Sequence, residues 1–99
     1  MINIAYVAPF FLPTTVRFLR AVVSLTGVRV ALIHQDAYEK LPAILRHSLV
    51  AHKRVQNALD PNQIAGAVTD LTATLGEAHQ LLGTLEQLQV PLAVVRELL

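Results

Sequence analysis

The sequence predicts an α/β fold, a three-layer sandwich around a four-stranded parallel sheet with the Rossmann-like order 3-2-1-4. Two observations predict this class. Short apolar runs rich in branched side chains alternate with segments of helical periodicity along the whole chain, which is typical of a parallel sheet with helices on both faces. The first run is apolar almost throughout, as in strands that helices cover on both sides. The first strand is therefore expected near the centre of the sheet.

The first unit is a strand, a helix and a second strand. Ile2–Ala8 is the first strand, and "VRVALIH", Val28–His34, is the second. Thr14 or Thr15 is expected to cap the intervening helix, and Gly27 stands where a left-handed C-cap belongs. Such a crossover is right-handed. The helix has an apolar stripe of Val16, Leu19, Val22 and Val23.

The middle of the chain predicts a short helix and a short strand. "KLPAILRHSLV" places Pro42 near a helix start, with leucines spaced four apart at Leu41, Leu45 and Leu49. In "AHKRVQNA", residues 52–55 form a candidate strand. Its charged side chains suit the edge of a sheet, where they discourage edge-to-edge pairing.

The third helix has the clearest boundaries. Asp60 is the predicted N-cap, Pro61 takes the first helical position, and Gln63 completes a capping-box pattern. Gly76 ends the helix. The apolar stripe consists of Ile64, Val68, Leu71 and Leu75. Residues 80–85, "QLLGTL", predict the fourth strand, and "VPLAVVRELL" predicts a last helix that begins at Pro91.

Composition limits the classes of partner. Apolar residues make up 54% of the chain and charged residues 15%, so part of the surface is expected to face another domain or subunit. The net charge is +1 and the basic residues are scattered, which argues against nucleic acid as a partner. There is no cysteine for a disulfide or a zinc–cysteine site. With no signal-peptide pattern in "MINIAYV" and no long apolar run, the expected location is cytoplasmic, without membrane contact.

Ligands of such sheets bind at the carboxyl ends of the strands, near the point where the strand order reverses. Three loops reach that edge, at residues 9–15, 34–36 and 86–87. The candidate substrate-binding or domain-interface residues on these loops are Pro9, Phe10, Phe11, Thr14, His34, Asp36, Glu86 and Gln87.

The loop after the first strand lacks the glycines of a nucleotide cradle. The first glycine in the chain is Gly27, and although Asp36 stands where a ribose-binding acid would, a pyrophosphate could not approach the backbone closely. No nucleotide cofactor is therefore expected within residues 1–99. Phe10 and Phe11, stiffened by the flanking prolines, either pack internally, which is the commoner use of such residues, or face a neighbouring domain or pocket.

Catalytic and metal-binding patterns are weak. His47 and His52 are five residues apart, which places them on different faces of a helix, and His34 and Asp36 could share a metal only from a sharply turned loop. The simpler interpretation is surface or strand-end histidines. No serine occupies a nucleophile elbow. The sequence predicts no catalytic residue and no metal ligand.

Three segments together resemble a known family: "MINIAYVAPFFLPTTVRFLRAVVSL", "GVRVALIHQD" and "LLGTLEQLQVPLAVVRELL". They are similar to the amino-terminal, pre-ATP-grasp domain of ATP-grasp ligases, an architecture shared by biotin carboxylase and D-alanine–D-alanine ligase. That domain ends with a strand, an acidic loop and a helix of A-x-x-R-E-x-L type. The matching residues here are Glu86, Ala93, Arg96, Glu97 and Leu99.

The resemblance implies that residues 1–99 are one Rossmann-like domain at the amino terminus of a longer ligase. The whole enzyme would use ATP and Mg²⁺ to activate a small-molecule carboxylate as an acyl phosphate, which an amine or similar nucleophile attacks. The family's nucleotide and magnesium ligands lie in later domains, so the first loop need not bind phosphate.

The alternative is a free-standing, flavodoxin-like module that binds a partner or a small ligand without catalysis. As a domain of a larger enzyme, the isolated chain is expected to self-associate, because the face that its neighbouring domains would cover is left bare. The predicted contact surface combines Phe10, Phe11 and Leu12 with Leu98 and Leu99.

Overall fold

Four parallel strands form the centre of the molecule in a computed structural model that describes all of residues 1–99. The strands are β1 (Ile2–Ala8), β2 (Val28–His34), β3 (Ala51–Arg54) and β4 (Gln80–Gly83). Their order is β3-β2-β1-β4, and every neighbouring pair is parallel. The predicted α/β class and the strand order 3-2-1-4 are confirmed.

Four α-helices cover the sheet: α1 (Pro13–Val23), α2 (Ala43–Ser48), α3 (Pro61–Leu75) and α4 (Gln89–Leu98). Single 3₁₀ turns, Tyr38–Lys40 and Glu86–Leu88, precede α2 and α4. No helix is both long enough and apolar enough to cross a membrane.

Successive side chains along each strand point to opposite faces of the sheet, and this divides the core into two layers. Ala5 and Val7 of β1 pack on the side of α3 and α4, whereas Ile4 and Tyr6 pack on the side of α1 and α2. The β3 strand, which follows α2, lies at one edge, and β4 lies at the other. Residues 52–54 of β3 are exposed, in agreement with the charged edge strand that the sequence predicts.

The start of α1 differs from the prediction. Leu12 is the N-cap and makes no side-chain capping bond, so neither Thr14 nor Thr15 caps the helix. Pro13 is the cause, because its fixed φ and missing N–H suit the first helical position and move the start upstream of both threonines. Gly27 does have a positive φ of 80°, but α1 has already ended at Val23, so Gly27 belongs to the turn into β2.

The boundaries of α3 agree with the prediction. The Asp60 carboxylate accepts a hydrogen bond from the Asn62 N–H at 3.0 Å, Pro61 is in the first turn, and Gly76 caps the end with a φ of 81°. Gln63 departs from a true capping box, because its Oε1 accepts from the Asn57 N–H at 2.7 Å and not from the Asp60 N–H, while its Nε2 donates to Asp60 Oδ2 at 3.2 Å.

The other boundaries shift by one or two residues. The β3 strand begins at Ala51 and ends at Arg54, and β4 ends at Gly83 because the chain then turns into the second 3₁₀ turn. The α4 helix begins at Gln89, so Pro91 lies within its first turn, where its missing N–H removes no helical hydrogen bond.

Candidate functional site

The loops that follow β1 and β2 are tied together at the carboxyl edge of the sheet. The Pro9 carbonyl accepts the N–H groups of Gln35 and Asp36, at 3.1 and 3.0 Å. In return, Asp36 Oδ2 accepts the Phe11 N–H at 3.0 Å. Pro9 is buried, and Phe10 and Phe11 are half-buried. The aromatic loop is therefore a fixed wall of this edge, and Asp36, a candidate substrate-binding or domain-interface residue, serves to hold it.

His34 ends β2 and is fully buried. Its Nδ1 lies 2.8 Å from the Asp36 carbonyl oxygen, and its Nε2 lies 2.9 Å from His52 Nδ1. A carbonyl can only accept, so we assign the proton of the neutral His34 ring to Nδ1. Nε2 is then an acceptor, and His52 donates to it through Nδ1. His52 Nε2 has no partner in the protein and can exchange a proton with solvent or a ligand.

Phe11 and Tyr38 pack against this histidine pair, and the four rings together form an aromatic cluster. The rings of Tyr38 and His52 are stacked, with centroids 3.6 Å apart and planes within 1° of parallel. The Phe11 ring centroid lies 5.5 Å from that of His34. The Tyr38 hydroxyl donates to the Arg46 carbonyl at 3.3 Å, which joins the cluster to α2.

Loss of solvation disfavours the charged form of both histidines, because His34 is fully buried and the Tyr38 ring covers one face of the otherwise exposed His52. It is the largest cause lowering the pKa of His34; the charges of His52 and Arg54 lower that pKa further, and the hydrogen bond to the Asp36 carbonyl opposes the change. Burial also lowers the pKa of His52, with the Glu39 carboxylate acting in the opposite direction. The pair is therefore neutral at pH 7 and takes up protons only in more acidic solution.

A polar cavity of ≈ 600 Å³ opens beside this cluster, between the ends of β2 and β3. We call it the cationic cavity, after the two basic residues in its lining. The residues that line it are Gln35, Asp36, Ala37, Lys40, Arg54, Val55 and Gln56. It is wide and open to solvent, and most of its lining is polar.

The point where the strand order reverses lies between β1 and β4. There the buried Tyr6 hydroxyl donates to Thr84 Oγ1 at 3.1 Å, and burial raises the pKa of this phenol. Gly83 allows Leu88 and Leu92 to approach the end of β4, where a Cβ would lie only 2.7 Å from Leu88 Cδ1. This part of the edge is filled by packing.

The predicted site residues divide into two groups. Hydrogen bonds or ring contacts join Pro9, Phe11, His34 and Asp36, with Phe10 on the same loop. Thr14, Glu86 and Gln87 lie at the same edge but are exposed and share no hydrogen bond with that group. Thr14 Oγ1 accepts only a long bond, 3.5 Å, from Arg17.

A second cavity, of ≈ 670 Å³, lies at the opposite edge of the sheet, where β4 begins. Gly76, His79, Arg96 and Leu99 are among its lining residues, and Arg96 Nη2 donates to the Leu81 carbonyl at 2.7 Å. The predicted self-association surface therefore does not exist as one surface. Residues 10–12 lie at the carboxyl edge, whereas the end of α4 lies at the amino edge, because α4 runs antiparallel to β4.

No protein-family model, curated protein or solved structure matches this chain. The resemblance to ATP-grasp ligases consequently stays a proposal that depends on the residues themselves. The same holds for the cofactors, the substrate and the partners that it implies.

Four contributors to this edge were missed by the sequence analysis: Tyr38, Lys40, His52 and Arg54. The β2–β3 register aligns His52 with Leu32. Because Leu32 and His34 are two residues apart on β2, their side chains share one face of the sheet, and this brings His52 within reach of His34. The sequence carries no signal for that register. The one available hint was that two neighbouring strands of the predicted sheet each carry a histidine, which could have suggested a contact between them. No group of three or more acidic, histidine or cysteine side chains is arranged to hold a metal ion.

Proposed function

We propose that this chain is the substrate-side amino-terminal domain of an ATP-grasp ligase. That enzyme would join a small-molecule carboxylate to an amine or similar nucleophile through an acyl phosphate, in the cytoplasm. ATP and Mg²⁺ would be held by further domains of the same protein, and residues 1–99 would form one wall of the substrate cleft.

The tie between the two loops is the observation that supports this proposal most. In a Rossmann-type nucleotide site the loop after β1 stays open for pyrophosphate and the acid after β2 is free to bind ribose. Here the Phe11 N–H and the Asp36 carboxylate are bonded to each other at 3.0 Å. A domain that keeps this sheet but has no room for the nucleotide at the first loop suits an enzyme in which another domain binds ATP.

The first test is direct. Calorimetric titration of residues 1–99 with ATP and Mg²⁺ should show no binding in the micromolar range. Micromolar affinity would overturn the proposed division of labour between domains.

The second test uses the gene. We expect its reading frame to continue beyond Leu99 into ATP-binding domains, and the full product to release ADP only when a carboxylate and an amine are both supplied. A stop codon directly after Leu99 would contradict the ligase proposal and favour the second candidate.

That second candidate is a free-standing module that binds a small ligand without catalysis. The cationic cavity favours it, since ≈ 600 Å³ of polar space at the carboxyl edge needs no further domain to be a binding site. The two candidates share the fold and differ in whether phosphoryl transfer follows binding.

A further inference from the structure

Lys40 and Arg54 line the cationic cavity without an acidic partner. The one ion pair of the molecule joins Lys53 to Asp70, on the opposite side of β3, with Nζ and Oδ2 3.3 Å apart. Unpaired cations beside one concave polar surface attract anions, because the walls of a cavity concentrate the field of the charges that line it.

Hydrogen bonds already orient two of the donors. Arg54 Nε donates to the Gln35 carbonyl at 2.8 Å, which fixes the guanidinium plane and leaves its two terminal nitrogens free of protein partners. Gln35 Oε1 accepts from the Ala58 N–H at 3.0 Å, so the side-chain nitrogen of Gln35 is the group left to donate. The Lys40 ammonium makes no hydrogen bond within the protein and adds a third donor.

Asp36 is the one acid in the lining, and it does not neutralise both cations. Its Oδ2 accepts from the Phe11 N–H, which satisfies part of the carboxylate within the loop. Two cations and one carboxylate leave the lining with an excess of positive charge. A guanidinium held in a fixed plane suits the paired oxygens of a carboxylate or phosphate group.

We propose that the cationic cavity is a binding site for a small anion carrying a carboxylate or phosphate group, held by Arg54, Lys40 and the side-chain amide of Gln35. The site lies at the β2–β3 end of the edge, away from the point where the strand order reverses. It does not depend on the ligase proposal, since an anion can bind here with or without further domains.

The histidine pair couples to this site through Arg54. The positive charge of Arg54 adds to burial in lowering the pKa of His34. An anion that neutralises Arg54 removes this contribution, so binding should raise the pKa of His34. The other groups facing the pair are Asp36, Glu39, Tyr38 and, through Tyr38, Arg46.

The test is a titration followed by amide NMR shifts, with inorganic phosphate in one series and succinate in another, each at ionic strength matched with sodium chloride. We expect saturable shifts at residues 35–40 and 54–56. Lys40→Gln removes an exposed cation that supports no fold contact, and Arg54→Lys keeps charge but loses the planar donor. Each should weaken binding about tenfold, the effect of one lost charge-assisted bond.

Lys53→Gln is the matched control, since it makes the same Lys-to-Gln change as Lys40→Gln on the face of β3 where Lys53 pairs with Asp70. It should bind as the parent does. If only inorganic phosphate saturates the site, its ligand is assigned as a phosphate; if only succinate does, the ligand is assigned as a carboxylate. The proposal is wrong if neither anion gives saturable shifts, or if Lys53→Gln weakens binding as much as Lys40→Gln.

Discussion

His34 shows how one buried polar side chain organises the carboxyl edge. Because its Nδ1 must donate to the Asp36 carbonyl, its Nε2 must accept, and the partner that reaches it is His52 on the neighbouring strand. The same Asp36 holds the aromatic loop through Phe11. A change at His34 or Asp36 should therefore affect two loops and an edge strand together.

The histidine pair predicts a pH-dependent stability. Both folded pKa values are lowered below the usual value near 6.5, chiefly by burial. The unfolded chain therefore binds protons more readily than the folded one. The stability from the neutral pair is complete above about pH 6.5 and is lost as the pH falls from there through the lowered folded values. Urea unfolding at a series of pH values should show this decrease.

His52→Gln tests the assignment. The glutamine amide can still donate to His34 Nε2 but does not titrate, so the free energy of unfolding should fall less steeply below pH 6.5 than in the parent. His47→Gln is the control, because His47 is exposed on α2 and has no hydrogen-bond partner. Equal pH profiles for His52→Gln and the parent would contradict the role of the pair.

At the scale of single elements, local signals decided the helix boundaries. Asp60 is a true cap and Thr14 is not. Asp60→Ala should therefore lower the free energy of unfolding by about 0.5–2 kcal/mol. Thr14→Ala should change it by no more than an ordinary surface substitution, about 0.5 kcal/mol. Thermal melts of the two variants measure the difference, and a larger loss in Thr14→Ala would contradict the observed start of α1.

Replacing either of two glycines by alanine should change the free energy of unfolding, with opposite signs at the two positions. In Gly83→Ala the new methyl group would lie 2.7 and 3.0 Å from the Cδ1 atoms of Leu88 and Leu92, which are fully buried. We expect a loss of about 1–3 kcal/mol. In Gly66→Ala on α3 the methyl group meets nothing within 4 Å, and the substitution should stabilise the helix by about 0.5–1 kcal/mol. Chemical denaturation of both variants checks the signs.

The sequence predicts elements better than it predicts the site, for a physical reason. Apolar runs and caps act over a few residues, so β1, β2 and α3 were placed correctly. The β2–β3 register and the position of the turn that carries Tyr38 depend on contacts between distant segments. Those contacts bring His52 to His34, and no local pattern encodes them. The observed start of α1 also had a local signal, because Pro13 favours the first helical position and so argues against Thr14 or Thr15 as the cap.

At the scale of the whole molecule, the apolar composition leaves a row of apolar side chains on α4 exposed. The α4 helix buries Leu92 and Val95 but exposes Val90 and Val94, at 74% and 39%. Leu98 is the next residue on the same row, since residues four apart share one side of a helix. A helix with apolar side chains on both sides suits a position between two surfaces. This row replaces the surface that was predicted to combine both edges of the sheet.

We therefore expect residues 1–99 to self-associate through the exposed row of α4, because burying its side chains removes apolar area from water. Sedimentation velocity over a range of concentrations should show a dimer that the double variant Val90→Gln with Val94→Gln converts to monomer. Glutamine favours the helix, so the fold should persist. Ala21→Gln changes an exposed position of α1, on the other side of the sheet, and should leave the dimer intact. A parent that stays monomeric at high concentration, or a dimer that survives the double variant, would show that this row is not the contact.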